Sequence, residues 1–237
     1  MTLNERLFRW RSWWPLALLP AYWIAYRFPR VSEGGAAEAW WEGSSIAMAI
    51  AWWLARVYIV GTGAAGTSGR TTAGPEAASL NTTGAYSIVR HPLYIANIGI
   101  TTSLALFTHS LYAALFALIA TSAFFVGVGR HEDLFLEERF GEAYLQWKAS
   151  VPGWLPRFDL WRPPAHPFHW PRVARREFYT LSVILVLSPI LDLPDEFQEH
   201  MSFIPDQVYI WCAVVGAGIF VLFRAAKKVR RTQSSGP

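Results

Sequence analysis

Residues 90–111 open with Arg90-His91-Pro92-Leu93-Tyr94, continue as an apolar run to Phe107, pass through Thr108-His109-Ser110 and re-enter an apolar run at Leu111. Proline is at home in the first turn of a helix, where no backbone donor is needed, so a helix is expected to begin at Pro92 and to continue through the residues that follow. Only three polar residues separate it from the next run, which predicts a tight antiparallel helical hairpin. Arg90 and His91 are thereby held where a polar, glycine-containing segment meets an apolar one. A charged small molecule handled by this chain is expected to meet them there.

Working outward, the 237 residues are 53% hydrophobic and only 16% charged, too few charges to coat a soluble domain of this size. The expected class is therefore all-α, a polytopic membrane helix bundle. Thirteen Trp and nine Tyr suit the interfacial belts where amphipathic rings settle. The partners expected are the bilayer and a lipid drawn from it, not nucleic acid; oligomeric state is left open. A single cysteine, Cys212, lies in a late apolar run and excludes a disulfide framework or a cysteine metal site.

Six apolar runs are read, at residues 13–26, 44–60, 93–107, 111–129, 178–191 and 207–223. The first follows three arginines and mimics a signal peptide with Ala37-Glu38-Ala39 as its cleavage site, but Arg27 and Arg30 intervene and favour a retained anchor. Six spans place both termini on one side. Of the 21 Lys and Arg, Arg56 falls within a span and only Arg27 and Arg30 fall on the opposite side, so the termini, both long polar connections and the site are expected to be cytoplasmic. Asp192, Asp195, Glu196, Glu199 and Asp206 read as an acidic outer loop, and His109 as a solvated turn residue beside it. The organisation expected is residues 1–60 as N-terminal transmembrane helices, 61–158 as a catalytic core, and 159–237 as an interfacial loop, two further transmembrane helices and a basic tail.

Two polar connections carry the candidate chemistry. In the first, Gly61, Gly63, Gly66 and Gly69 allow close approach or helix packing, and Arg70 with Asn81-Thr82-Thr83-Gly84 offers donors to an anionic headgroup. The second starts at Arg130-His131-Glu132-Asp133, and its apolar residues recur at loose helical spacing, which predicts an interfacial amphipathic helix. Acids at such a helix start favour its N-terminus. Beside a membrane and a basic motif they also call for a cationic partner, which argues for a ligand. No metal constellation stands out, since no two histidines have a helical ligand spacing, and His166 and His169 read as interfacial loop residues. Neither a nucleophile elbow nor a nucleotide fingerprint is present.

Taken together, Thr83-Gly84-Ala85-Tyr86-Ser87-Ile88-Val89-Arg90-His91-Pro92-Leu93-Tyr94 resembles the signature of the isoprenylcysteine carboxyl methyltransferase and phospholipid methyltransferase superfamily. The stretch from Glu132-Asp133 through Leu136, Phe140-Gly141 and Tyr144, followed by Val151-Pro152 and Leu155-Pro156, resembles that family's paired-acid motif. The similarity runs over residues 61–157. Asp133 stands where the family usually has a second glutamate, and Trp147 where it often has a second tyrosine.

The resemblance implies S-adenosylmethionine as methyl donor. His91, Tyr94, Glu132 and Asp133, the segment Trp154-Leu155-Pro156 and, one turn after Tyr94, Asn97 would cradle it. The acids suit its ammonium; His91 and the Arg90 side suit its carboxylate. Arg90, with Arg70 as second choice, would hold the acceptor anion. The favoured acceptor is an anionic lipid oxygen, a phosphate or carboxylate such as a lipid A-type phosphate. The alternatives are phospholipid amine N-methylation, a sterol-type membrane reductase using NADPH, and a lipid-binding protein that has lost the chemistry.

Overall fold

The computed structural model describes residues 3–11, 13–25, 27–31, 35–64, 77–201 and 204–234. They form helices α1 (Leu3–Trp10), α2 (Trp14–Ala17), α3 (Leu19–Ala25), α4 (Gly35–Thr62), α5 (Ala85–Ile88), α6 (Pro92–Leu106), α7 (Leu111–Phe140), α8 (Glu142–Ser150), α9 (Trp170–His200) and α10 (Gln207–Ser234), with a 3-10 turn at Phe158–Leu160. No strand occurs among the described residues, in keeping with an all-helical membrane bundle.

Among the described residues, three helices are long and apolar enough to cross a membrane: Gly35–Thr62, Leu111–Phe140 and residues 207–226 of α10. The remaining expected spans take other forms. The first run is a short apolar stretch broken at Leu18 into α2 and α3. The fifth run lies within α9, whose 31 residues include Pro189 and Pro194 and continue past Leu191 through the acidic segment to His200. The expected acidic loop is therefore mostly helix. α10 packs along α9, and a neighbouring helix lets a membrane helix tolerate proline.

The hairpin forms as expected, but its arms are unequal. The 15 residues of α6 rise about 22 Å, less than the ~30 Å of hydrocarbon in a bilayer. The helix is too short to span that thickness alone, and polar residues at both its ends find partners inside the protein. The 30 residues of α7 rise about 45 Å. This helix runs without interruption through residues 130–140 before stopping at Gly141, whose φ of 53° favours glycine. The second connection is thus not a new helix beginning near Glu132, and an N-terminal dipole cannot account for the two acids.

Small residues let α4, α6 and α7 approach closely. Ala49, Ala105, Ala113, Ala114 and Ala117 are buried in one core with Leu104, Phe107, Ile184 and Leu191. Gly99 lies under Trp52, where an added Cβ would stand 2.3 Å from the indole. Indole N–H groups tie the bundle across its helices: Trp41 donates to the Leu106 carbonyl at 2.7 Å, Trp14 to Thr121 Oγ1 at 3.1 Å and Trp53 to the Glu177 carbonyl at 3.2 Å.

An ion pair between helices joins α4 to α9. Arg56 Nε and Nη2 each donate at 3.0 Å to the two oxygens of Glu177, and Nη1 donates to Asn97 Oδ1 at 2.5 Å. Both side chains are nearly inaccessible, so each charge depends on the other. Glu177→Ala should lower stability by about 3–5 kcal/mol, measurable as a fall in the thermal unfolding midpoint of the detergent-solubilised protein. The paired change Arg56→Met with Glu177→Leu should recover most of that loss, because no charge is left stranded.

Candidate functional site

The start of α6 and the second half of α7 face each other across a cavity of about 510 Å³. Of the residues expected to form the site, Arg90, His91, Tyr94, Asn97, Glu132 and Asp133 all line it. Arg90 Nη1 lies 2.8 Å from Asp133 Oδ2 and donates to the Tyr144 hydroxyl at 3.2 Å. Tyr144 donates in turn to Asp133 Oδ1 at 2.5 Å. His91 Nε2 is 3.1 Å from the same oxygen, and its Nδ1 is 3.8 Å from Glu132. Tyr94 hydrogen-bonds to Glu132. Asp133 is therefore committed to three partners, while Glu132 retains capacity for a further cation. Burial, and then the bond to Asp133, push the Tyr144 phenol above its ordinary pKa, so it stays protonated and remains a donor.

Aromatic rings close one side of this cluster. His91 packs against Trp154 at 4.9 Å between centroids and against Tyr94 at 5.7 Å, and Tyr94 stacks on Phe125 at 5.0 Å. Gly129 makes room for them, since an added Cβ would lie 2.9 Å from Trp154 Cζ2 and 3.2 Å from His91 Nε2. Trp154 thus buttresses the histidine. Neither Trp154 itself nor Leu155 and Pro156 line the cavity, and Leu155 is 82% exposed. Backbone bonds from Arg90 N to the Pro152 carbonyl and from Arg157 N to the Ile88 carbonyl, both 2.9 Å, hold the two motif segments side by side.

Several residues singled out in the sequence have other duties. Asn81 Oδ1 accepts from Ala64 N at 3.0 Å and Thr83 Oγ1 from Ala165 N at 3.1 Å, so this polar run fastens backbone as well as offering donors. Gly61 lets Phe168 approach, where a Cβ would meet its ring at 2.2 Å. His131 sits edge-on to Phe8 at 5.4 Å, and His169 caps α9 by accepting from Arg172 N. Arg70, with Gly66 and Gly69, lies outside the described residues.

Sequence reasoning missed the contributions from both ends of the chain. Phe8 and Arg11 come from the N-terminal segment, and Arg176, Glu177, Tyr179 and Thr180 from α9, to complete the wall. The basic cluster Arg172, Arg175, Arg176 counted only as topology, whereas a charged residue set against an apolar run was the available signal. Among the described residues, four arginines and three carboxylates line the cavity, so its wall carries both signs of charge.

A helical membrane bundle with a recessed, ring-walled cavity carrying both signs of charge defines a membrane-embedded protein built to take a charged small molecule beside the bilayer. Residues 43–143 match the family model described as phospholipid methyltransferase, a family of the isoprenylcysteine carboxyl methyltransferase-like superfamily. The match begins inside α4 and ends as α8 begins, earlier at both ends than the sequence motifs suggest. Among curated proteins, the chain is 27% identical over 141 residues to the nickel-cobalt-cadmium resistance protein NccN of Alcaligenes xylosoxydans xylosoxydans, covering 58% of this chain and 63% of that one. It is 34% identical over 84 residues to the cobalt-zinc-cadmium resistance protein CzcN of Cupriavidus metallidurans, covering 35% and 38%. The matched segments thus span less than two thirds of either relative. No solved structure matches the chain significantly.

The bond network makes a direct prediction. Tyr144→Phe removes one buried hydrogen bond to a charged carboxylate and should lower stability by about 1.5–3 kcal/mol, seen in thermal unfolding. Gly129→Ala should displace Trp154 or His91, read as a changed indole fluorescence spectrum.

Proposed function

We propose that this chain is an S-adenosylmethionine-dependent membrane methyltransferase that moves a methyl group to an anionic oxygen of a lipid, with its site at the cytoplasmic face. The observation that carries the reading is the convergence of the two motifs on one cavity whose wall holds unsatisfied donors. Arg90 Nε and Trp147 Nε1 are both buried without a hydrogen-bond partner. Such orphans are rare in a finished interior and fit a polar ligand. When bound, the cofactor supplies an electrophilic methyl group on a positively charged sulfur.

The chain's own residues then hold and orient. Glu132 suits the ammonium of the donor, and His91 with the free edge of Arg90 suits its carboxylate. Tyr94 offers a flat face to a ring or a cationic centre. Ile100, Leu104, Val183 and Ile184 form an apolar extension of the same cavity, suited to an acyl chain. Arg176 and the outer donors of Arg90 suit the acceptor anion, and neither takes up a proton. Bringing an anion to a cation cancels charge, which a dry, low-dielectric cavity favours over water. Alignment accounts for much of the remaining rate. An amine acceptor would first have to lose a proton, and Asp133 is already engaged, which favours oxygen over nitrogen.

The relatives' names speak of resistance to nickel, cobalt, zinc and cadmium. Carried to this chain, such a role accords with methylation of a lipid phosphate, because the ester removes negative charge that would hold divalent cations at the envelope.

Calorimetry on the solubilised protein should detect S-adenosylmethionine or its demethylated product and no NADPH. His91→Ala and Glu132→Ala should each weaken that binding at least about tenfold, corresponding to loss of one charge-assisted hydrogen bond. Unchanged affinity in both variants would refute the site. Labelled methyl transfer into a total lipid extract, with mass identification of the product, should give an O-methylated anionic lipid; label on an ethanolamine nitrogen would overturn the acceptor assignment.

A further inference from the structure

At the opposite end of the α6–α7 hairpin, remote in the fold from Arg90, the three-residue connection is buried: Thr108, His109 and Ser110 are each 0% exposed. His109 is therefore not the solvated turn residue its loop position suggests. Its φ of 56° is a conformation that L side chains rarely adopt. The backbone is held there by its own N–H to the Leu106 carbonyl at 3.0 Å and by Val31 N donating to its carbonyl at 2.9 Å.

The ring meets two carboxylates from the first turns of α4. His109 Nε2 lies 3.3 Å from Glu42 Oε1 and 3.9 Å from Glu38 Oε1, and one ligand atom from each of the three residues falls within 4.8 Å of the others. Both acids are largely withdrawn from solvent, with side chains 16% and 13% exposed. Glutamates four apart on a helix repel each other, and burial makes that costlier. Arg30 Nη2 steadies Glu38 at 2.9 Å, and Tyr209 of α10 donates to Glu42 Oε2.

The spacing discriminates between two ways of relieving this charge. A protonated imidazole bonded directly to a carboxylate closes to about 2.7–2.9 Å. Two ligands sharing a tetrahedral ion at about 2.0–2.1 Å stand roughly 3.3 Å apart. The His109–Glu42 separation of 3.3 Å suits the second arrangement, and Glu38, 3.9 Å from the ring nitrogen, would move closer to join it. We propose that Glu38, Glu42 and His109 bind a divalent transition-metal cation, Zn²⁺ or the chemically similar Co²⁺, at the end of the bundle opposite the methyl-transfer cavity. One imidazole and two carboxylates suit these ions. Three protein ligands leave a fourth position open; Tyr209 holds the far oxygen of Glu42 from behind, and Arg30 bonds Glu38 Oε1, leaving its second oxygen for the ion. Bound there, the ion ties the start of α4 to the hairpin and, through Tyr209, to α10.

The test uses the full-length protein in detergent, free of any polyhistidine tag and stripped with chelator. Titration with Zn²⁺ should give one equivalent bound per chain and a raised thermal midpoint, as binding to the folded state alone requires. Co²⁺ should give the visible absorption bands of a four-coordinate site. Glu42→Gln and His109→Gln should each weaken the ion by at least about a hundredfold, more than the 10- to 100-fold effect of losing a supporting group, while His91→Ala in the cavity should leave it bound. Stoichiometric binding untouched by both variants, or no binding to the native chain, would overturn the site; a midpoint that falls with rising pH and ignores metal would instead establish a protonated histidine. Should either variant not fold, X-ray absorption on the Zn²⁺-loaded native chain decides between one imidazole with oxygen ligands and any other set.

Discussion

Asp133 holds the two halves of the functional core together. Arg90 and His91 arrive from the start of α6, Tyr144 from α8, and all three reach one carboxylate carried by α7. A half-buried carboxylate stripped of water is tolerable only when its lone pairs are met, so the position of each partner is constrained by the others. The departure from the usual glutamate fits this picture, since a shorter acid reaches partners already close to the helix and leaves Glu132 as the carboxylate open to the cavity.

That division of labour between neighbouring acids follows from helix geometry. Successive residues point about 100° apart, so Glu132 and Asp133 on a continuous α7 face largely different partners. One is turned to Arg90 and Tyr144, and the other to Tyr94 and the Nδ1 side of His91. His91 bridges the two acids, which makes it the natural coupling point between framework and ligand. Trp154, pressed against its ring, sets the plane in which it can act.

The last two helices also acquire a role. α9 supplies Glu177 to Arg56 and sets Arg176 and Tyr179 on the cavity wall, so the segment beyond the family match participates in the site. α10 packs along α9 and reaches Glu42 through Tyr209 at the far end. A short α6 explains why both ends of the bundle carry buried polar clusters: a helix too short for the bilayer leaves polar ends to be satisfied from within.

Composition alone determined that this chain is a membrane helix bundle, because so few charges cannot cover its apolar residues, and the proline after His91 together with the three-residue connection determined the hairpin. The paired motifs likewise marked Arg90, His91, Tyr94, Glu132 and Asp133, since charges beside a lipid-facing run have few other reasons to be there. Only the tertiary structure decided how those charges are shared, because sequence order does not tell which oxygen meets which nitrogen. It also turned the expected amphipathic helix into the continuation of α7, carried the fifth run through two prolines, and brought Glu177 to Arg56 and His109 to Glu38 and Glu42. Those pairs lie far apart along the chain, so no local period or spacing could announce them; they meet because helices packed in one apolar bundle must satisfy their buried charges in one another.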